Sequence, residues 1–258
     1  MAMITALPIS AAERTFTCMM DPAEDVELAA NSSGILSEVL IARGQRVSVG
    51  QKVAQTNSLL EAATLKILQT RASSTEQIKA QEARLNFVRA QLERVRQLVE
   101  QNAQSTVRLE ELEYEYALAE SQLQQAKNEH EALKAEVYRA QVALNDTEIR
   151  SPINGVVTEV LLSAGEYAGA DRPIARIVQL DPLHIEAFLT IDLYSSVSVG
   201  QTVNILADPP INYAGTAEII AIDPLFDSAS RTFGIRAAIP NKNNLLPAGH
   251  RCTLSIPD

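Results

Sequence analysis

Between Gln51 and Ser151 the chain contains no glycine and no proline, although the 258 residues include 10 and 11 of them. A hundred residues without either breaker leave few choices beyond long helices. The apolar residues there fall into two series of helical period, separated at Asn102-Ala103-Gln104-Ser105. In the second series Leu112, Tyr116, Ala119, Leu123, Ala126, His130, Leu133, Val137, Ala140 and Leu144 alternate spacings of 4 and 3, a sustained heptad seam. In the first, Ile78, Gln81, Leu85, Val88, Leu92, Val95 and Val99 do the same. Folding the chain at 102–105 pairs positions whose numbers sum to about 208, so that Val99 meets Leu109, Leu92 meets Tyr116, Leu85 meets Leu123 and Leu68 meets Ala140. The expectation is an antiparallel two-stranded coiled-coil hairpin over 57–146. At ~1.5 Å per residue its 40–45-residue helices reach roughly 60–65 Å.

Charge favours the same partnership. Residues 57–102 carry seven Lys/Arg and five Asp/Glu, net +2, and residues 106–146 carry four and nine, net −5. Opposite signs on facing helices disfavour self-pairing of either, although each exposed pair contributes only ~0–1 kcal/mol. The seam is thin around Arg71, Ser73, Ser74 and Gln81, which predicts softness or a register adjustment there.

On either side of the hairpin the pattern is β. Gly34 to Gly44 and Gly155 to Gly165 match at a constant offset of 121, each with Gly-apolar-apolar-x-Glu-Val and a closing glycine. Two halves of one strand–turn–strand plan, neither able to bury its apolar face alone, should close on each other. From Asp181 onward short strands are expected at 184–191, 202–207, 214–222, 233–239 and 251–256, separated by turn clusters, which suits a small β-barrel.

The split repeat around a helical insertion resembles the biotinyl/lipoyl carrier fold as used in the HlyD-like membrane-fusion proteins, the periplasmic adaptors of tripartite efflux and secretion systems. Leu180-Asp181-Pro182-Leu183, Asp227-Ser228-Ala229-Ser230-Arg231-Thr232 and Leu246-Pro247-Ala248-Gly249 resemble the entry, a turn and the last-strand approach of the adaptor barrel. The resemblance implies an α+β multi-domain fold: an N-terminal segment (1–20), a first lipoyl-like half (21–56), the hairpin (57–146), a second lipoyl-like half (147–180) and an antiparallel β-barrel (181–258). A membrane-proximal domain that many adaptors carry beyond the barrel has no counterpart here, so a short subgroup or a shortened chain is expected. Across the bend, Arg94, Leu98 and Ser105 resemble the Arg–Leu–Ser tip motif that docks onto a TolC-like outer-membrane channel. From the residues alone, Leu98 lies beside the seam and one turn after Arg94 on the same face. An ordinary off-seam leucine is the plainer reading.

The implied partners are an inner-membrane transporter, with the RND class ranked ahead of the ABC class, the outer-membrane channel, and further copies of the chain in a hexameric ring. Two other functions compete. A carboxyl or acyl carrier would need a modifiable lysine in the turn between the halves, where the hairpin stands instead. A structural coiled-coil scaffold would need no channel.

Other signals are weaker. Cys18 and Cys252 would be free thiols in a reducing compartment, and an even count in an exported chain suggests one disulfide; the resemblance extends to a subgroup of adaptors with cysteines at these two places. Cys18 lacks a convincing lipobox. Met1 to Ala12 resembles the tail of a secretory signal without its basic start, which leaves a signal remnant and a disordered terminus both open. The three histidines are scattered, so no metal site or cofactor is expected. P-loop, GxSxG and dinucleotide fingerprints are absent from the sequence, and no enzyme is expected. A net charge of −10 argues against broad nucleic-acid binding. Glu110, Glu111, Glu113 and Glu115 supply negative charge at the start of the second helix. No run reaches the ~18–20 apolar residues of a membrane span.

Overall fold

The computed structural model describes residues 14–257. The signal-like stretch Met1 to Ala12 lies outside them. Two units form: one from the chain up to Ala54 together with that from Ile149 onward, the other Gln55–Glu148.

The first unit is all β. Its strands are β1 (Thr15–Leu28), β2 (Gly34–Val39), β3 (Arg46–Val47), β4 (Lys52–Thr56), β5 (Glu148–Arg150), β6 (Gly155–Val160), β7 (Tyr167–Ala168), β8 (Ala175–Thr190), β9 (Thr202–Ala207), β10 (Ala214–Asp227), β11 (Thr232–Ile239) and β12 (His250–Ser255). One sheet runs β1-β12-β9-β10-β11-β8-β6-β3, and β1 also pairs with β8, so six strands close into a ring. Strict alternation makes the inside: Val203, Ile205 and Ala207 of β9 and Leu183, Ile185, Ala187 and Leu189 of β8 point inward and are buried. Each such isoleucine or leucine contributes roughly 1.5–3 kcal/mol by leaving water.

The second sheet runs β5-β4-β2-β7 and shares a core with β3, β6 and the outer parts of β1 and β8. Here the offset of 121 becomes geometry. β2 pairs with β7 through Gly34↔Ala168 and Ile35↔Tyr167, and β6 pairs with β3 through Gly155↔Val47 and Val156↔Arg46. Each half thus lends its short strand to the other. Gly44 N–H donates to Val157 O at 2.7 Å, and Gly165 N–H donates to Leu36 O at 2.8 Å. Leu40 N–H donates to Val53 O and Leu161 N–H to Ile174 O, both at 2.8 Å. Gln45 and Glu166 each accept from a backbone N–H three residues earlier. Gly44 and Gly165 sit at φ 84° and 92°, left-handed values that glycine adopts without steric cost. The buried positions repeat as well: Leu36 with Val157, Ile41 with Leu162, Val53 with Ile174. Around this second core the two halves interlock as a pseudo-two-fold pair, which is why neither half needs a core of its own.

The second unit holds α1 (Leu59–Ala72), α2 (Glu76–Glu100) and α3 (Thr106–Asn145). All ten seam positions expected on α3 are buried or half-buried, as are all seven expected on the first arm. Leu85, Ala119 and Leu123 form a common core with Ile78 and Tyr116. One expectation needs correcting. The first arm is not a single helix, because Ser73-Ser74-Thr75 breaks it. Carried backward from Val99, the seam would fall on Ser74 and Arg71, which are exposed. α1 instead turns Leu65, Leu68 and Ala72 inward, one residue out of phase. The slip falls where hydroxyl side chains can satisfy a helix end: Ser73 Oγ donates to Thr70 O at 2.8 Å. α3 runs unbroken through all 40 of its residues.

Candidate docking site at the hairpin tip

The tip is a tight, fully capped turn. α2 ends with Asn102 N–H donating to Val99 O at 3.0 Å and Ala103 N–H donating to Leu98 O at 2.8 Å. This is a Schellman pattern, with Asn102 at φ 53° in the left-handed position usually taken by glycine. α3 begins at Ser105, whose Oγ accepts from Val107 N–H at 3.2 Å. A polar residue able to adopt a left-handed conformation, followed three residues later by a capping serine, turns the chain without glycine or proline.

Of the three residues expected to dock, Arg94 and Leu98 share one stripe of α2, and Ser105 stands across the turn. Leu98 is 42% exposed although leucine has no reason to face water here. The Arg94 guanidinium folds onto its own helix, with Nε donating to Ala90 O at 3.2 Å, and makes no ion pair among the described residues. Ser105 is engaged as a helix cap, so one lone pair of its hydroxyl is taken by Val107 N–H, and its proton is left to donate to a partner. Val107, 60% exposed, is an apolar tip residue that sequence reasoning missed. The signal was present: it follows the cap and lies outside the Leu109–Leu112–Tyr116 seam.

The neighbouring charges are largely paired off. Arg96 meets Glu113 at 3.3 Å, and Arg108 meets Glu111 at 2.8 Å, which raises the pKa of the Arg108 guanidinium. Arg89 donates to Tyr116 Oη at 3.4 Å with its guanidinium 5.8 Å from the ring centroid. These cross-hairpin contacts join numbers summing to 205 and 209, close to the register expected from the seam.

Cys18 and Cys252 lie directly opposite each other on β1 and β12 and form a disulfide with Cα atoms 4.8 Å apart. Among the described residues, no His, Cys, Asp and Glu side chains cluster as a metal site, and no helix is long and apolar enough to cross a membrane.

No family model matches the chain. The fold is nevertheless that of solved proteins. MacA from Actinobacillus actinomycetemcomitans superposes with a TM-score of 0.79 over 95% of this chain and 78% of MacA, at 20% identity. The membrane fusion protein Spr0693 from Streptococcus pneumoniae R6 gives 0.66 over 95% and 99%, at 16% identity. This chain has the membrane-fusion-protein fold. Among curated relatives, an uncharacterized Haemophilus influenzae protein is 23% identical over 98% of this chain and 60% of its own length. The Escherichia coli multidrug resistance protein MdtE is 25% identical over 52% of this chain and 38% of its own length. The chain therefore spans less than two thirds of these relatives. What the membrane-fusion-protein fold adds is a context for the tip: in it, the long hairpin and the interlocked β unit go together.

Proposed function

We propose that this chain is a periplasmic adaptor that links an inner-membrane transporter to a TolC-like outer-membrane channel and docks through the hairpin tip. In this reading residues 21–56 and 147–180 are the two halves of a lipoyl-like sandwich, and 181–258 is the adaptor β-barrel. The adaptor performs no chemistry. It works beside the inner membrane through its partner transporter, of the RND class ahead of the ABC class, and assembles with further copies as a ring, by analogy a hexamer.

One observation carries the proposal: an exposed leucine and an arginine without an ion pair share one stripe at the end of a long, capped, otherwise well-paired hairpin. Leu98 would fill an apolar groove between the channel's helix ends. Arg94 and the Ser105 proton would bond to carbonyls or carboxylates there. Each contact is weak, and repetition around a ring multiplies them. The Cys18–Cys252 disulfide suits an oxidising compartment. The hairpin 57–146 stands between the two halves, where a carrier would present its modifiable lysine in a turn, and this disfavours the carrier function. The test is export through the channel in cells carrying Arg94→Asp with Leu98→Ser. Export should be lost while the disulfide and helix content are kept, and undiminished export would refute docking at these residues.

A further inference from the structure

A cleft of about 370 Å³ opens within the β unit, where the interlocked halves meet the six-stranded ring. One wall belongs to the halves, with Arg46 on β3, Ser48 just after it and Asn154 just before β6. The other belongs to the ring, with Asp181 on β8 and Asn243 and Asn244 in the loop after β11. This second wall is fixed from behind by Asn241, which is buried and spends its polar groups on structure. Its Nδ2 donates to Leu180 O at 2.8 Å and to Leu246 O at 2.9 Å, and its Oδ1 accepts from Leu246 N–H at 2.9 Å. Its backbone N–H donates to Asp181 Oδ1 at 2.9 Å. On this support Asn243 and Asn244 stand at φ 67° and 54°, two consecutive left-handed residues that are not glycine. Such backbone persists only where its surroundings hold it, and it gathers at ligand clamps.

The groups facing the cleft are left with bonds to make. The carboxamides of Asn243 and Asn244 and the hydroxyl of Ser48 make no hydrogen bond among the described residues. Asn154 uses its oxygen, on Val49 N–H at 3.0 Å, and keeps its NH2. Arg46 reaches across with one N–H, to Asn243 O at 2.7 Å, and makes no ion pair among the described residues. A guanidinium has five such donors. Donors therefore outnumber acceptors here, and the single carboxylate, Asp181, is already engaged through one oxygen. A lining with one cation, spare amide and hydroxyl donors and no aromatic face matches a small ligand rich in acceptors. Its anionic group takes the guanidinium fork, and its hydroxyls take the carboxamides. The volume lies in the range of small-molecule sites.

We propose that this cleft binds a small hydroxylated oxyanion, a hydroxycarboxylate or a phosphate monoester. Arg46 holds the anionic group, and Asn154, Asn243 and Asn244 hold the hydroxyls. Because these side chains come from both walls, the ligand bridges the halves and the ring. β1 and β8 run between the two cores, and their pairing shifts register between Pro22 and Glu24, which supplies a flexing point. A bound ligand narrows the range of angles about that point.

The test is titration calorimetry of the full chain with gluconate and with glycerol phosphate, and with sorbitol and glycerol as their uncharged counterparts. One site per chain is expected for at least one anion and none for the polyols; the tighter anion tells whether carboxylate or phosphate is the natural group. Arg46→Gln should weaken binding about tenfold. Asn243→Gly, which keeps the left-handed backbone and removes the carboxamide, should weaken it severalfold with thermal stability retained. Spin labels at Glu159→Cys and Thr202→Cys should give a narrower distance distribution when the anion is bound. No heat from either anion at tens of millimolar overturns the proposal, as does equal binding of a polyol or affinity indifferent to Arg46→Gln. Binding that weakens with Arg46→Gln but ignores Asn243→Gly reduces the site to a surface ion pair and overturns it too. An unchanged label distribution refutes the bridging.

Discussion

Asn102 holds the tip turn at φ 53°, a left-handed conformation that glycine adopts freely and asparagine tolerates better than most other residues. Asn102→Gly should leave stability nearly unchanged, whereas Asn102→Val should cost about 1–2 kcal/mol. Ser105→Ala removes the acceptor for Val107 N–H and should cost about 1 kcal/mol, with Ser105→Asp recovering most of it. Thermal unfolding followed by helix signal reads both. In the β unit, Gly155 marks a close approach rather than a turn: a Cβ there would meet Val178 O at 2.5 Å, a backbone atom that cannot move aside. A pH effect also belongs at this scale. Arg176 donates to Asp25 at 2.8 Å and holds the carboxyl below its usual pKa. A lowered folded-state pKa contributes stability above the unfolded value of about 3.9 and loses it as pH falls through the folded value. Asp25→Asn should therefore destabilise at pH 7 by no more than ~1 kcal/mol, since the pair is partly exposed. The gap from the parent protein should close progressively below pH ~4. A gap that widened in acid would contradict the assignment.

Among the elements, the hairpin is the most legible in the sequence and also the place where the reading stopped short. Period and register of the seam followed from spacing alone, because a two-stranded coiled coil has one solution for a long 4–3 alternation. The break at Ser73–Thr75 was visible only as thin seam. Nothing in a list of apolar positions says whether a helix bends, frays or restarts out of phase, since that depends on how each arm meets the unbroken α3. The same holds for β1 and β8, which run as single strands of 14 and 16 residues through both β cores, across boundaries that the family resemblance places near 20 and 180. At the tip, the offset to the seam placed Leu98 beside it, one turn after Arg94, while the docking role of Arg94, Leu98 and Ser105 came from the family resemblance alone; the capping role of Ser105 and the exposure of Val107 needed the turn itself. Amide hydrogen exchange tests the element account. Protection at 71–81 should fall well below that at 85–99, and equal protection would mean the phase slip leaves no soft point.

For the whole molecule, the Cys18–Cys252 bond ties β1 to β12, where the six-stranded ring joins the two ends of the described chain. Thiol titration of the unfolded, unreduced protein should find no free thiol. Replacing both cysteines by serine should lower stability by about 2–4 kcal/mol while the β strands persist. The interlocked halves predict cooperative loss, since each completes its short sheet only with a strand from the other. Neither property says what the protein binds. That rests on the tip, and the most direct measurement is photo-crosslinking from a probe placed at residue 98 in intact cells. The account predicts an adduct with an outer-membrane channel, lost when Arg94→Asp is added. An adduct only with other proteins, or none while the chain is folded and exported, would contradict it.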